Sequence, residues 1–275
     1  MKMEDLMLKF PHLPEQIFQK LKNESLFKSR EVARPWQNLI DGRNYPWLRI
    51  VNFPTMLKRR NTYLHLAAET GQIQAFKIAF SEEEDKNITN EFGVTVFHRA
   101  CQNGRFMIVQ LLLCNLKIHN QSVDLNAKTE MGRTAFNWAC FQGHTDVVKL
   151  LIDNATAFRI DLNTKGAYCK TAFIWACMEG HTDVVKVLMD NAAALSIDLN
   201  TKSNHDRTAF IWACIEGHVD VVRIFIENAA ALSINLDSKD NNGRTGFHWA
   251  CMYKHSNVIK ILKENAVGCS RAWTS

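Results

Sequence analysis

The sequence predicts an all-α protein: an N-terminal three-helix module followed by an α-solenoid of six helix pairs. One observation sets the solenoid. The phrase Thr134-Ala-Phe-Asn-Trp-Ala-Cys-Phe-Gln-Gly-His144 returns as Thr171-Ala-Phe-Ile-Trp-Ala-Cys-Met-Glu-Gly-His181, again from Thr208 to His218, and from Thr245 to His255 with Lys254 in place of Gly. Weaker copies start at Thr62 and Thr95, so the starting threonines are 33, 39, 37, 37 and 37 residues apart. A fixed period of this size is the mark of a stacked repeat. A second observation sets the module: residues 1–60 lack the phrase but hold short apolar segments at helical spacing.

Each unit reads as two short helices joined by a tight stop. Thr171 is a natural cap, its oxygen accepting a backbone N–H that a helix start leaves unpaired. Phe173, Ala176 and Cys177 then share one face at helical spacing, with Trp175 beside them. Gly180 ends the first helix as a left-handed residue. Val184, Val185, Val187 and Leu188 face inward on the second helix, while Lys186 and Asp190 face outward. Ile197-Asp-Leu-Asn200 alternates as an extended stretch, and Lys202 to Arg207 forms a polar turn. One such pair cannot bury its own apolar face. Neighbours must bury it, which requires lateral stacking.

The phrase resembles the ankyrin repeat, Thr-Pro-Leu-His-x-Ala-Ala-x-x-Gly-His followed by a Val-Val-x-Leu-Leu helix, with Thr62-Tyr-Leu-His-Leu-Ala-Ala68 the nearest copy. The resemblance runs from about Arg60 to Asn265 and implies a protein-binding stack at residues 61–268. Two features depart from the family pattern. Proline never follows the Thr, and the later units are 37 residues long rather than 33. The added residues fall in Asn191-Ala-Ala-Ala-Leu-Ser196. Ala and Leu favour helix and four residues make about one turn, so the second helix is expected to run one turn longer.

Cys101, Cys140, Cys177, Cys214 and Cys251 share one repeat position. Stacked helices lie about 8–10 Å apart, too far for a disulfide, which needs Cα atoms within about 7 Å, or for zinc ligands that converge at about 2 Å. Buried small thiols are expected. His144, His181, His218 and His255 form a parallel ladder, expected to bond between neighbouring turns. Trp138, Trp175, Trp212 and Trp249 occupy the family's buried leucine position and are expected to pack in the core. No cofactor, metal or catalytic phrase is expected.

The first sixty residues carry twelve Lys/Arg against six Asp/Glu, while the remainder is near neutral at 21 against 22. The excess is scattered, so nucleic acid is not the expected partner. No apolar run approaches the roughly 18 residues of a membrane span, and Met1 to Phe10 lacks the apolar core of a secretory signal. A cytoplasmic or nuclear protein is expected.

Within residues 8–50, Pro14 suits a helix start, and Leu13, Ile17 and Leu21 fall four apart on one face. Leu26, Arg30 and Val32 follow, then Trp36, Leu39 and Ile40. The pattern resembles the F-box over about Phe10 to Leu48, with residues 51–60 as a linker. The resemblance implies that Leu13, Pro14, Ile17, Leu21, Leu26, Val32, Trp36 and Leu39 bind the Skp adaptor of a Skp–cullin–F-box ubiquitin ligase. Capping of the stack by these helices is the alternative.

The ankyrin resemblance also places a target on the hairpin tips and the concave face of the first helices. The tip candidates are Phe92, Met131, Arg133, Tyr168, His205, Arg207 and Arg244, with Glu91, Glu130, Lys170, Asp206 and Asn242 beside them. The groove candidates are Phe141, Met178, Glu179, Ile215, Glu216, Met252 and Tyr253. Exposed apolar surface at Phe141, Met178, Ile215 and Met252 would mark an interface; packing between repeats is the competing reading. The expected role is target recognition for a ubiquitin ligase, as one copy in a hetero-complex, with a scaffold or inhibitor lacking a ubiquitin role as the alternative.

Overall fold

The computed structural model describes residues 63–82, 85–119 and 123–265, and these form six helix pairs in order along the chain. The pairs are Tyr63–Thr70 with Ile73–Glu82, Val96–Gln102 with Phe106–His119, Ala135–Phe141 with Thr145–Asp153, Ala172–Met178 with Thr182–Asp190, Ala209–Glu216 with Val219–Asn228, and Gly246–Met252 with Ser256–Glu264. First helices pack on first helices more closely than second helices pack on second helices. That difference curves the stack and puts the first helices on its inner side. The candidate F-box residues Leu13, Pro14, Ile17, Leu21, Leu26, Val32, Trp36 and Leu39 lie outside the described residues, as does Thr62. Among the described residues no helix is long and apolar enough to cross a membrane.

The repeated phrase forms the inner helices as its spacing predicts. Thr95, Thr134, Thr171 and Thr208 sit in extended backbone, and each hydroxyl accepts the N–H three residues on. In three units the third residue answers with its own side chain: the Thr95 N–H reaches His98 Nδ1 at 3.2 Å, the Thr134 N–H reaches Asn137 Oδ1 at 3.0 Å and the Thr245 N–H reaches His248 Nδ1 at 3.3 Å. Such reciprocal capping satisfies two donors at once. Behind the caps, Phe97, Phe136, Phe173 and Phe210, with their alanines, form one continuous core between the helix layers. Val184, Val185 and Leu188 are fully buried, and Val187 packs partly buried against the same core.

The histidine ladder bonds across neighbours as expected. The Nε2 atoms of His144, His181, His218 and His255 lie 2.9, 2.9, 2.8 and 2.7 Å from the carbonyls of Gln102, Phe141, Met178 and Ile215 in the preceding unit. The glycines make room for it. Gly143, Gly180 and Gly217 have φ of +73°, +75° and +78°, and a Cβ on any of them would fall within 2.4–2.6 Å of the next histidine ring. Lys254 takes the same left-handed conformation, φ 60°, and among the described residues no repeat lies above it.

Asparagines provide a second set of staples that the sequence reading did not single out. Asn126, Asn163 and Asn200 each donate to the carbonyl of the next unit's left-handed residue, Arg159, Ser196 or Ser233, at 2.8, 2.8 and 3.1 Å. Each then accepts the N–H two residues further on, from Asp161, Asp198 or Asn235.

Two expectations need correction. The added turn in the 37-residue units is present, but it does not prolong the second helix. The backbone breaks at Asn191, φ −102° and ψ 1°, whose amide bonds back to the Val187 carbonyl at 2.9 Å. A separate turn, Ala192–Leu195, follows and closes on left-handed Ser196, with Ala192 still buried. Asparagine competes for the helix carbonyl with its own side chain and so ends the run. Cys251 is the other correction: Cys101, Cys140, Cys177 and Cys214 are fully buried, but Cys251 is exposed, because its helix has no described neighbour on that side. Burial pushes the four core thiols well above their usual pKa.

Candidate functional site

The hairpins between units project from the stack and pair through the carbonyl and N–H of residues four apart, as in Gly166 to Lys170, Ser203 to Arg207 and Asp240 to Arg244, each at 2.9 Å. Their tips carry Phe92, Met131, Tyr168 and His205, all exposed, at the same register. Gly93, Gly132 and Gly243 supply the left-handed residue in three hairpins. Two hairpins have no glycine there, and Tyr168–Cys169 and His205–Asp206 instead take two consecutive left-handed residues. Such conformations cost about 1–2 kcal/mol per non-glycine residue.

Behind the tips, an alternating column of cations and indoles runs along the inner face. Arg133 lies over Trp138 and Trp175, 4.7 and 4.5 Å from the ring centres. Lys170 lies over Trp175 and Trp212 at 4.4 and 4.0 Å. Arg207 lies over Trp212 and Trp249 at 5.1 and 4.4 Å, and Arg244 over Trp249 at 5.1 Å. Every cation but the last therefore bridges its own tryptophan and that of the next unit. Each such contact contributes about 0.5–2 kcal/mol, more when desolvated.

Charge in this column is only partly neutralised. Arg207 Nε is 3.9 Å from the Asp240 carboxylate. Burial works against ionisation of Asp240. The N–H groups of Arg244 and Asn242, the Trp249 indole and Arg207 outweigh it and hold its pKa below the usual carboxylate value. No carboxylate of the described residues lies within ion-pair distance of Arg133, Lys170 or Arg244. Desolvation lowers the pKa of Lys170, which is 7% exposed, and the nearby carboxylates of Glu179 and Glu216 only offset it. Desolvation likewise lowers that of Arg133. Indole N–H groups are satisfied at Trp212, by Ser203 Oγ at 2.8 Å, and at Trp249, by Asp240 Oδ2 at 3.0 Å. The corresponding position for Trp175 is Gly166, and its buried Nε1 has no partner among the described residues.

These contacts sort the sequence candidates. Arg133, Arg207 and Arg244 are half-buried in the column rather than free at the tips, and Lys170 is buried in it. Phe141 is half-buried edge-on against Trp138 and Trp175, at 5.7 and 5.2 Å. Met178 is half-buried with its sulfur beside the Lys170 ammonium. Ile215 is 8% exposed and packs with Ile211 and Trp249. The expected open apolar strip is therefore interrupted, and packing between repeats describes Phe141 and Ile215. Glu179, Glu216, Met252 and Tyr253 are exposed on the inner side. The tryptophans were expected in the core. Trp175 and Trp249 are buried, but Trp138 and Trp212 are half-buried and all four face the cation column.

A second basic column went unnoticed in the sequence. Lys128, Lys165, Lys202 and Lys239 are all exposed, one at the foot of each hairpin. Among the described residues, only Lys202 of these four has a carboxylate within reach, Asp206 at 3.7 Å. The signal is a Lys, a cation five residues later and a Trp five after that, repeated four times from Lys128 to Trp249.

A curved stack of helix pairs with ordered hairpins and a lined inner face defines a protein-binding solenoid. The family model for ankyrin repeats matches residues 64–165, 115–202, 159–236 and 194–272, so the chain belongs to the ankyrin-repeat family. Among solved structures it is similar to the human ASB11 ankyrin repeat domain, with 22% identity and a TM-score of 0.62, over 75% of this chain and 85% of that one. A comparison with curated proteins returned no match.

Proposed function

We propose that this chain is the substrate-recognition subunit of a Skp–cullin–F-box type ubiquitin ligase. The observation that carries the reading is the order of its parts: an F-box-like pattern, Leu13 to Leu39, directly ahead of an ankyrin stack that binds protein. The pattern docks the Skp adaptor, and the hairpin side and inner face hold the target. Chemistry takes place on other subunits. This chain contributes selectivity and proximity, since a held target meets the conjugating enzyme as if at high local concentration.

The test is co-purification with recombinant Skp adaptor. The full chain is expected to hold the adaptor through gel filtration, and Leu13→Ala with Pro14→Ala to weaken it at least tenfold while circular dichroism stays unchanged. A wild-type chain that never retains the adaptor removes the ubiquitin link and leaves an ankyrin scaffold or inhibitor.

A further inference from the structure

We propose that the hairpin side of the stack is a docking track for an extended, acidic segment of a protein partner, with carboxylates at about every third residue. The inference rests on the protein-binding reading of the repeats and specifies which partner chemistry they select. Two parallel columns of cations carry it. The outer one is Lys128, Lys165, Lys202 and Lys239; the inner one is Arg133, Lys170, Arg207 and Arg244. They occupy the two flanks of the same four hairpins and advance together by one unit. Of these eight cations, only Lys202 and Arg207 have a carboxylate within 4 Å among the described residues. Lys170 is more than nine-tenths buried, and its ammonium meets two indole faces and a thioether rather than an anion. Trp175, equally buried, keeps an unsatisfied N–H beside it. The Lys170 ammonium thus meets no carboxylate, and the Trp175 N–H meets no acceptor among the described residues, at the centre of the track.

Geometry selects the form of the partner. Neighbouring units in a helical stack are about 8–10 Å apart, and an extended polyproline-type chain advances about 3.1 Å per residue with three residues per turn. Side chains three apart therefore meet successive hairpins. Nucleic acid fits less well on two counts. Each tryptophan ring already has at least one cation over it at 4.0–5.1 Å, and Trp175 and Trp249 are buried, which leaves little ring surface for stacking bases. Exposed Glu179 and Glu216 border the track. They repel a backbone that carries a charge at every nucleotide, whereas a peptide places neutral residues opposite them.

The experiment measures binding of the full chain to a fluorescein-labelled twelve-residue peptide with Glu at every third position and Pro or Ser between. Peptides with Gln for Glu and a single-stranded RNA twelve-mer serve as comparisons. The Glu peptide is expected to bind at least tenfold more tightly than the Gln peptide, and to weaken as salt rises. Lys165→Glu with Lys202→Glu, both exposed, should lower its affinity at least tenfold. Lys149→Glu with Lys186→Glu, exposed on the second helices, should change it less than twofold. Equal loss in both variants, absence of Glu-peptide binding, or tighter binding of the RNA overturns the proposal. Retention of the Skp adaptor is read on the same preparations. A chain that holds the adaptor but not the peptide fails this inference alone, and one that binds the peptide but not the adaptor fails the ligase reading alone.

Discussion

At Trp175 the repeat is imperfect in a single atom. Trp212 and Trp249 donate to Ser203 and Asp240, while Gly166 offers nothing at the same register. A buried donor left unpaired costs about 1–3 kcal/mol. Gly166 has φ −93° and ψ −150°, open to any residue, and its nearest obstacle to a Cβ is Arg133 Cγ at 3.2 Å. Gly166→Ser is therefore expected to stabilise the chain by about 1 kcal/mol, visible as a rise in thermal midpoint of about 2–4 °C. Gly166→Ala is the control: an equal gain there would assign the effect to the unfolded chain. The residue scale is also where sequence reading fell short. Trp175 and Lys170 are five apart, on a helix and a hairpin flank, and no helical or strand period brings such positions together. The second contact of Lys170, over Trp212 of the next unit, arises only once two units stack. The histidine ladder was legible because each histidine touches the backbone of the unit directly before it, and stacking alone supplies that neighbour.

Within one helix pair, the stop between the helices has two separate requirements. It must be left-handed, and it must leave room for the histidine of the next unit. Gly180 meets both, since a Cβ would lie 2.6 Å from His218 Nδ1. Lys254 meets only the first, because among the described residues no histidine lies above it. Gly180→Ala should lose at least about 2 kcal/mol, combining left-handed strain with disruption of the bond from His218 to the Met178 carbonyl. Lys254→Ala, already strained and exposed, should stay within about 0.5 kcal/mol of wild type. Urea unfolding of the two variants checks the pair; similar losses would mean that φ alone governs the position. Element boundaries were read well where capping Thr and stopping Gly mark them. The turn at Asn191 was misjudged because helix propensity counts Ala and Leu but does not count an asparagine that bonds to its own helix.

Over the whole stack, the two histidines with lowered pKa lie at one end. His65 and His98, in the first two units, are buried and held neutral, each with its pKa lowered to about 4 chiefly by desolvation. His98 donates from Nε2 to the Arg133 carbonyl at 3.1 Å, and its Nδ1 accepts the Thr95 N–H, so a second proton would break the cap. The unfolded chain takes up protons near pH 6.5, whereas the folded one does not until about pH 4. Stability from these groups is therefore complete above about pH 6.5. It falls as pH drops toward 4, by up to about 1.4 kcal/mol per pH unit for each histidine. Because repeat stability is a sum of unit and nearest-neighbour terms, the loss should appear first as opening of residues 63–119 while the middle units stay closed. Hydrogen exchange at pH 7.5 and pH 5 should show faster exchange in those helices well before Ala172–Asp190. His98→Asn reproduces the cap that Asn137 makes in the next unit, through Oδ1 to the Thr134 N–H, without a titrating ring. It should remove about half of the pH dependence and leave stability at pH 7.5 within about 1 kcal/mol. Uniform opening of all units in acid, or an unchanged slope in His98→Asn, would place the sensitivity elsewhere.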